Sequence, residues 1–158
     1  MRRHATAVCL QGEGILLLGE SGVGKSDLAL RLIADGATLI ADDRVDIAAI
    51  DDALWLSPPA SLAGVIEAYG IGLLQLPYVP KAHLRLVVQC DAAAPERLPA
   101  RRKWIMEGIL ADEITLDPLH TSTPAKLRLL ITALQSGTWL PEDWMADSQH
   151  TPLYSTGR

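Results

Sequence analysis

A chain of 158 residues with 49% hydrophobic composition is the size of one domain and can bury a core without disulfide or metal staples. Phe is absent and aromatic residues make up only 4%, so that core must be built from Leu, Ile, Val and Ala. The formal net charge of −5 argues against a nucleic-acid phosphate backbone as partner, and no apolar stretch reaches the length of a membrane span.

In chain order, Met1-Arg2-Arg3-His4 is charged, but no long apolar run with a small-residue cleavage site follows it. No signal peptide is expected, and the expected location is the cytoplasm. Residues 5–10 read as a short strand, Gln11-Gly12-Glu13-Gly14 as a four-residue turn, and Gly14 to Leu18 as a second, buried strand. A helix runs from Ser26 to about Ala34, with Leu28, Leu32 and Ile33 at helical spacing, and Asp35-Gly36 ends it. Ala37 to Ala41 is the next strand and delivers Asp42-Asp43. Val45 to Ile50 and Ala53 to Leu56 form a hairpin about Asp51-Asp52, and Ser57-Pro58-Pro59 breaks the chain. Gly64 to Leu74 is apolar and punctuated by glycine, which reads as strand with a tight turn. Leu84 to Cys90 is a buried strand.

Residues 91–113 show no strong period and contain Pro95, Pro99 and the run Arg101-Arg102-Lys103, so a loop region is expected there. That loop would serve either as a solvated segment or as an electrostatic dock. Ile114-Thr115-Leu116 is expected as a last short strand. Pro124 to Leu134 is a helix with Thr123 as N-cap, Pro124 at the first position and Gly137 near its end. Its stripe of Leu127, Leu130, Ile131 and Leu134 points to the core, and Trp139 and Trp144 to a cap on that core or an oligomer contact. Strands outnumber helices, so the expected fold is α/β with a mixed sheet, several antiparallel hairpins and few helices, rather than regular strand–helix alternation.

The chemistry concentrates at Gly19-Glu20-Ser21-Gly22-Val23-Gly24-Lys25-Ser26, a complete G-x-x-x-x-G-K-[ST] loop between a strand and a helix. Its glycines let backbone N–H groups close around phosphate oxygens, Lys25 can reach the β- and γ-phosphates, and the Ser26 hydroxyl can coordinate Mg²⁺. The phosphates would sit at a helix N-terminus, where the dipole favours negative charge.

A phosphate loop does not say what accepts the phosphate. Asp42 and Asp43 follow the strand after its helix, so one can face Mg²⁺ and the other an acceptor hydroxyl. The alternative is a solvated turn, as expected for the identical dipeptide Asp51-Asp52. Glu67 lies in an apolar segment, where a buried carboxylate would need a partner or metal, or else it is a rim residue on an edge strand. Cys9 and Cys90 lack C-x-x-C spacing and read as two buried free thiols in a reducing cytosol. His83, His120 and His150 have no metal-ligand spacing and read as surface or hydrogen-bonded histidines.

These residues together resemble the catalytic domain of the HPr kinase/phosphorylase family. That family has a strand begun by histidine, a hairpin, G-[DE]-S-G-x-G-K-S, a helix, and a strand ending in A-D-D. Here these are His4, Gly19 to Ser26, and Ala41 to Asp43. A second family signature, close to L-E-x-R-G-x-G-[IL], is similar to Ile66 to Leu73. The resemblance covers roughly residues 4–90 and is to a short form without the N-terminal domain. It implies a P-loop kinase core of the HPr kinase/PEP carboxykinase-like type, with residues 1–140 as the catalytic domain and 141–158 as a polar tail.

The resemblance implies that Gly19 to Ser26 hold ATP phosphates and that Ser26 and Glu67 hold Mg²⁺. It implies that Asp43 is the base that activates a seryl hydroxyl of the phosphocarrier protein HPr, and the acid in reverse phosphorolysis. Asp42 would assist it and His4 would line the same site. Arg97, in Glu96-Arg97-Leu98, is similar in place to an arginine the family uses in dephosphorylation. A homo-oligomer is implied, since the family forms hexamers. One departure is Tyr69, which stands at the signature arginine; Arg44, Lys81 and Arg97 are the candidate replacements. Competing classes are a nucleotide-binding regulator without transferase activity and a small-molecule kinase, the latter requiring residues 91–113 as a lid.

Overall fold

In the computed structural model, residues 1–93 and 96–146 are described. The chain opens with β1 (Arg2–His4) and β2 (Thr6–Leu10), one extended run interrupted at Ala5. Strand β3 (Glu13–Leu18) returns antiparallel to β2. Their turn holds two residues, not four: Gln11 and Gly12 both adopt positive φ (52° and 79°), and pairing resumes at once with Leu10 opposite Glu13. Two left-handed residues match the twist of the flanking strands, so the ladder starts earlier than the glycine spacing suggested.

Helix α1 (Lys25–Ala34) follows the glycine-rich loop. It buries Leu28, Ala29 and Leu32 and closes with Gly36 N–H on the Ile33 carbonyl and Ala37 N–H on the Leu32 carbonyl. With Gly36 at φ 111° this is the paired closure that satisfies orphan helix carbonyls. β4 (Thr38–Ala41), β5 (Arg44–Ile50) and β6 (Ala53–Ser57) follow, the last two joined through left-handed Asp51 and Asp52. Asp51-Asp52 is thus an ordinary hairpin turn, as expected.

β7 (Val65–Ala68) and β8 (Gly72–Gln75) form a separate two-stranded ribbon. β9 (Ala82–Cys90), β10 (Arg102–Met106) and β11 (Ile109–Leu116) then rejoin the main sheet, and α2 (Thr123–Ser136) packs on it. The main sheet has nine strands in the order β1-β5-β6-β9-β3-β2-β4, with β11 beside β9 and β10 beside β11. β9 runs parallel to both β3 and β11 and antiparallel to β6, so the sheet is mixed.

Residues 2–10 and 38–50 run antiparallel to each other across two parts of this sheet. His4 faces Arg44 in one part and Ala7 faces Ala41 in the next. The same register carried through the gap sets Ala5 and Thr6 against Asp43 and Asp42. The Ala5 N–H accordingly donates to the Asp43 carbonyl at 3.3 Å. This junction is where the site forms.

β3 is buried on both faces, which is why it reads as an unbroken apolar run. Ile15 and Leu17 join Leu28 and Leu32 of α1 and Leu127 and Ile131 of α2, while Leu16 and Leu18 join Val45, Ile47, Leu54 and Leu56 on the other side. Leu127 and Ile131 are fully buried and Leu130 and Leu134 pack against the same cluster, so the expected stripe is core.

The loop expected over 91–113 holds for the described residues up to Arg101 and is corrected beyond it. Residues 102–116 are a hairpin turning at Glu107-Gly108, both at positive φ, and Ile114-Thr115-Leu116 is only the end of β11. The pattern was hidden because β10 is an edge strand with one wet face. Lys103, paired with Asp112, and Ile105 point outward, while Trp104 and Met106 pack inward. Of the run Arg101-Arg102-Lys103, Arg102 and Lys103 belong to β10, while Arg101 precedes the strand, stacks 4.0 Å from the Trp139 ring and donates to the Trp139 and Leu140 carbonyls. Ser122, not Thr123, stands at the N-cap position of α2, with its hydroxyl paired to His120 Nδ1 rather than to the helix; Thr123 is the first helical residue, and its hydroxyl donates to the Asp117 carbonyl at 2.6 Å. Of the expected tail, residues 141–146 include a short 3-10 turn at Trp144–Ala146, and His150 lies outside the described residues. Among the described residues no helix is long and apolar enough to cross a membrane.

Candidate phosphate-binding cleft and acid pair

The loop Gly19–Ser26 leaves the end of β3 and opens α1. Of its glycines, Gly19 is required by close approach to backbone, while Gly24 faces only the movable end of a side chain and is favoured by its φ. A Cβ on Gly19 would lie 2.8 Å from the Cys90 carbonyl oxygen, and one on Gly24 would lie 2.7 Å from Leu119. Both residues also hold positive φ, 150° and 117°. Lys25 is 7% exposed and folds back over the loop, its Nζ donating to the carbonyls of Gly19 (2.6 Å) and Glu20 (2.9 Å). Burial pushes the thiol of neighbouring Cys90 up to about 12, so it stays protonated beside the loop.

β4 delivers the two adjacent aspartates into opposite surroundings. Asp42 is buried, at 5% exposure. Its Oδ1 accepts from the Ser26 hydroxyl at 2.7 Å and from the Thr6 hydroxyl at 2.9 Å, and its Oδ2 accepts from the Glu67 backbone N–H at 3.1 Å. The Asp43 side chain is 62% exposed. Its Oδ1 lies 3.0 Å from His4 Nε2 and its Oδ2 lies 3.3 Å from Arg44 Nη1.

The backbone makes this division. Asp43 has φ 68°, and the Arg44 N–H donates to the Asp42 carbonyl at 2.8 Å. That is a three-residue γ-turn of the rarer, strained hand, centred on a residue with a Cβ. It reverses the side-chain direction between neighbours, so Asp42 turns in toward the phosphate loop and Asp43 turns out. Strain stored at one such residue is a common mark of a functional site.

These groups line one open cleft of about 500 Å³, with Ser21, Gly22 and Gly24 of the loop on one side and Glu67 and Tyr69 on its rim. Of the residues named from sequence, the structure brings together His4, Lys25, Ser26, Asp42, Asp43 and Glu67. The Glu67 side chain is exposed on the ribbon β7–β8, so it is a rim residue and not a buried carboxylate. Tyr69, at the ribbon turn, is fully exposed on the same rim. Arg97 is exposed and is not among the described residues that line the cleft. Lys81 lies over the Trp55 ring, also outside it, whereas Arg44 stands against Asp43. Sequence reasoning missed Thr6. Its signal was a lone hydroxyl in the apolar run Ala5-Thr6-Ala7-Val8.

Lys25 is the one lysine or arginine among the described lining residues, against four carboxylates, Asp27, Asp42, Asp43 and Glu67. An anionic phosphate chain in such a cleft calls for a divalent cation between the charges. The donors fit a hard cation: a buried carboxylate and a serine hydroxyl 2.7 Å apart at the phosphate loop. Among the described residues there is no cluster of three or more His, Cys, Asp or Glu that could hold a metal ion by itself.

Fold and cleft together define a P-loop domain whose phosphate loop is wired to an acid pair on a mixed sheet. The family model described as the HPr Serine kinase C-terminal domain matches residues 1–80, and the chain belongs to that family. It is 38% identical over 103 residues to the HPr kinase/phosphorylase of Clostridium novyi, covering 61% of this chain and 34% of that protein. It is 46% identical over 76 residues to the HPr kinase/phosphorylase of Clostridium tetani, covering 48% and 25%. The chain thus spans a quarter to a third of the length of these curated relatives. Among solved structures, the HPr(Ser) kinase/phosphatase from Coxiella burnetii superposes with a TM-score of 0.71 at 28% identity, covering 87% of this chain and 95% of that one. The mixed sheet with few helices matches this neighbour, in agreement with the fold expected from sequence.

Proposed function

We propose that the protein is an ATP- and Mg²⁺-dependent protein-serine kinase acting on the phosphocarrier protein HPr, with phosphorolysis of the phosphoserine as its reverse reaction. The observation that carries this reading is the split of the acid pair, with Asp42 tied to the phosphate-loop serine and Asp43 turned into the open cleft. The names of the relatives supply the acceptor.

In this reading the backbone N–H groups of Gly19 to Ser26 cradle the triphosphate, and the Lys25 ammonium leaves the loop carbonyls for the phosphate oxygens. Ser26 and Asp42 hold Mg²⁺, with the Glu67 carboxylate on the same rim as a further oxygen donor. The ion supplies charge neutralisation to the transferred group when bound. Asp43 takes the seryl proton, oriented by His4 Nε2–H and Arg44. Catalysis is then mostly positioning and charge stabilisation. Two free thiols suit a reducing compartment, so the site of action is the cytoplasm.

The test is the intact mass of HPr from the same organism after incubation with the protein, ATP and Mg²⁺. A phosphate-sized gain is expected, reversed by inorganic phosphate. Asp43→Asn should slow transfer by about 100- to 10,000-fold while nucleotide still binds. Mg²⁺-dependent ATP binding with no gain on HPr would remove HPr as the acceptor.

A further inference from the structure

We propose that Thr6 is a positioning residue for the divalent cation, holding the Asp42 carboxylate in place when Ser26 turns to the ion. The inference rests on the kinase reading above, in which Ser26 and Asp42 share Mg²⁺.

Thr6 is 1% exposed, and its hydroxyl donates to Asp42 Oδ1 at 2.9 Å. Asp42 is held by three donors in all: Thr6 and Ser26 on Oδ1, and the Glu67 N–H on Oδ2. These donors are not equivalent. Ser26 belongs to the phosphate loop, and a hydroxyl that coordinates a cation turns its lone pair to it. Thr6 and the Glu67 N–H lie outside the loop and hold one carboxylate oxygen each. With both in place the carboxylate keeps its orientation whether or not Ser26 donates to it. Without Thr6, Oδ1 is held by Ser26 alone, and the metal-free arrangement competes directly with the ion for that hydroxyl.

The placement of Thr6 is a consequence of the fold. Consecutive residues of the β1–β2 junction meet the aspartates in register: His4 on the Asp43 carboxylate, the Ala5 N–H on the Asp43 carbonyl, and Thr6 on the Asp42 carboxylate. The Thr6 hydroxyl goes to Asp42, whereas Lys25 takes the loop carbonyls and His4 and Arg44 take the Asp43 carboxylate. It acts through Asp42, as outer donors to a ligating carboxylate generally do.

The test compares Thr6→Ser with Thr6→Ala. Both lose the methyl group, and they differ only by the hydroxyl. The readouts are the dissociation constant of a fluorescent ATP analogue across a Mg²⁺ titration and without Mg²⁺, and the melting temperature of each variant. Thr6→Ala should weaken apparent Mg²⁺ affinity by about 10- to 100-fold and leave metal-free nucleotide affinity within about twofold, while Thr6→Ser stays near wild type. Equal Mg²⁺ affinity in the two variants would overturn the assignment. So would a Thr6→Ala loss that appears equally without Mg²⁺, which would make Thr6 a packing residue. Wild-type protein whose nucleotide binding ignores Mg²⁺ would overturn the kinase reading and this inference with it. Mg²⁺-dependent binding that is insensitive to Thr6→Ala would overturn only the inference. Should Thr6→Ala not fold, Thr6→Val, which keeps the side-chain volume, takes its place against wild type with the same outcomes.

Discussion

The Ser26 hydroxyl donates to Asp42 Oδ1 across 2.7 Å, and this bond joins a phosphate loop to a strand end sixteen residues further along the chain. Asp42→Asn would set its amide N–H₂ against groups that already donate, either the Glu67 N–H or the Thr6 and Ser26 hydroxyls, according to which way the amide turns. A loss of about 1–3 kcal/mol is expected, since buried donors are left unpaired. Ser26→Ala and Asp42→Asn should also each weaken Mg²⁺-dependent nucleotide binding, and the double variant should be little worse than either. Nucleotide titrations on both singles and the double give the coupling, and simple additivity within about 0.5 kcal/mol would separate the two residues.

Asp43 carries backbone strain for the sake of its side chain. At φ 68° in a γ-turn, glycine is the unstrained occupant. The contacts of the Asp43 carboxylate with His4 and Arg44 are solvent-exposed, so their removal costs little. Asp43→Gly should therefore raise stability by about 1 kcal/mol, or about 2–4 °C in Tm, while abolishing phosphoryl transfer. A lowered Tm would show that the turn is not under strain.

Gly19 and Gly22 separate conformational strain from contact. Both hold positive φ, but a Cβ on Gly22 meets nothing within 4 Å, whereas one on Gly19 meets the Cys90 carbonyl at 2.8 Å. Backbone cannot yield as a side-chain tip can. Gly19→Ala should cost about 1–3 kcal/mol more than Gly22→Ala in chemical denaturation. Equal costs would mean that β9 and the loop can move apart freely.

The Cys90 thiol gives stability a dependence on alkaline pH. Burial raises it to about 12 in the folded protein, above the value near 8.5 of an unfolded cysteine. A group raised in this way contributes fully below pH 8.5 and loses its contribution as pH climbs toward 12. Wild type should thus lose stability faster than Cys90→Ala between pH 9 and 11. Cys90 should also resist alkylation at pH 8 until the protein is unfolded. Rapid labelling of the native protein, located by peptide mass, would contradict its burial.

How much of this was readable in advance depended on how far apart the cooperating residues lie. The glycine-rich loop, α1 and the Asp51-Asp52 hairpin were legible because each is built from neighbours in the chain. The β10–β11 hairpin was not, because β10 is an edge strand whose outward Lys103 and Ile105 blur its alternation. Glu67 was expected to act through its carboxylate, yet the bond it makes to the site in this structure comes from its backbone N–H. Main-chain donors are common to nearly every residue type and leave no trace in composition.

The eight residues from Gly19 to Ser26 carry their chemistry in their own identities, so phosphate binding could be inferred from them alone. The aspartates carry only the potential for two roles. Which one holds the loop and which one faces the cleft follows from a single left-handed φ at Asp43 and from the register that sets His4, Ala5 and Thr6 against them. Those pairings span 36 to 39 residues of chain. They exist only once β1 and β2 have docked against β4 and β5, since no local preference brings a threonine hydroxyl to a carboxylate that far along the sequence.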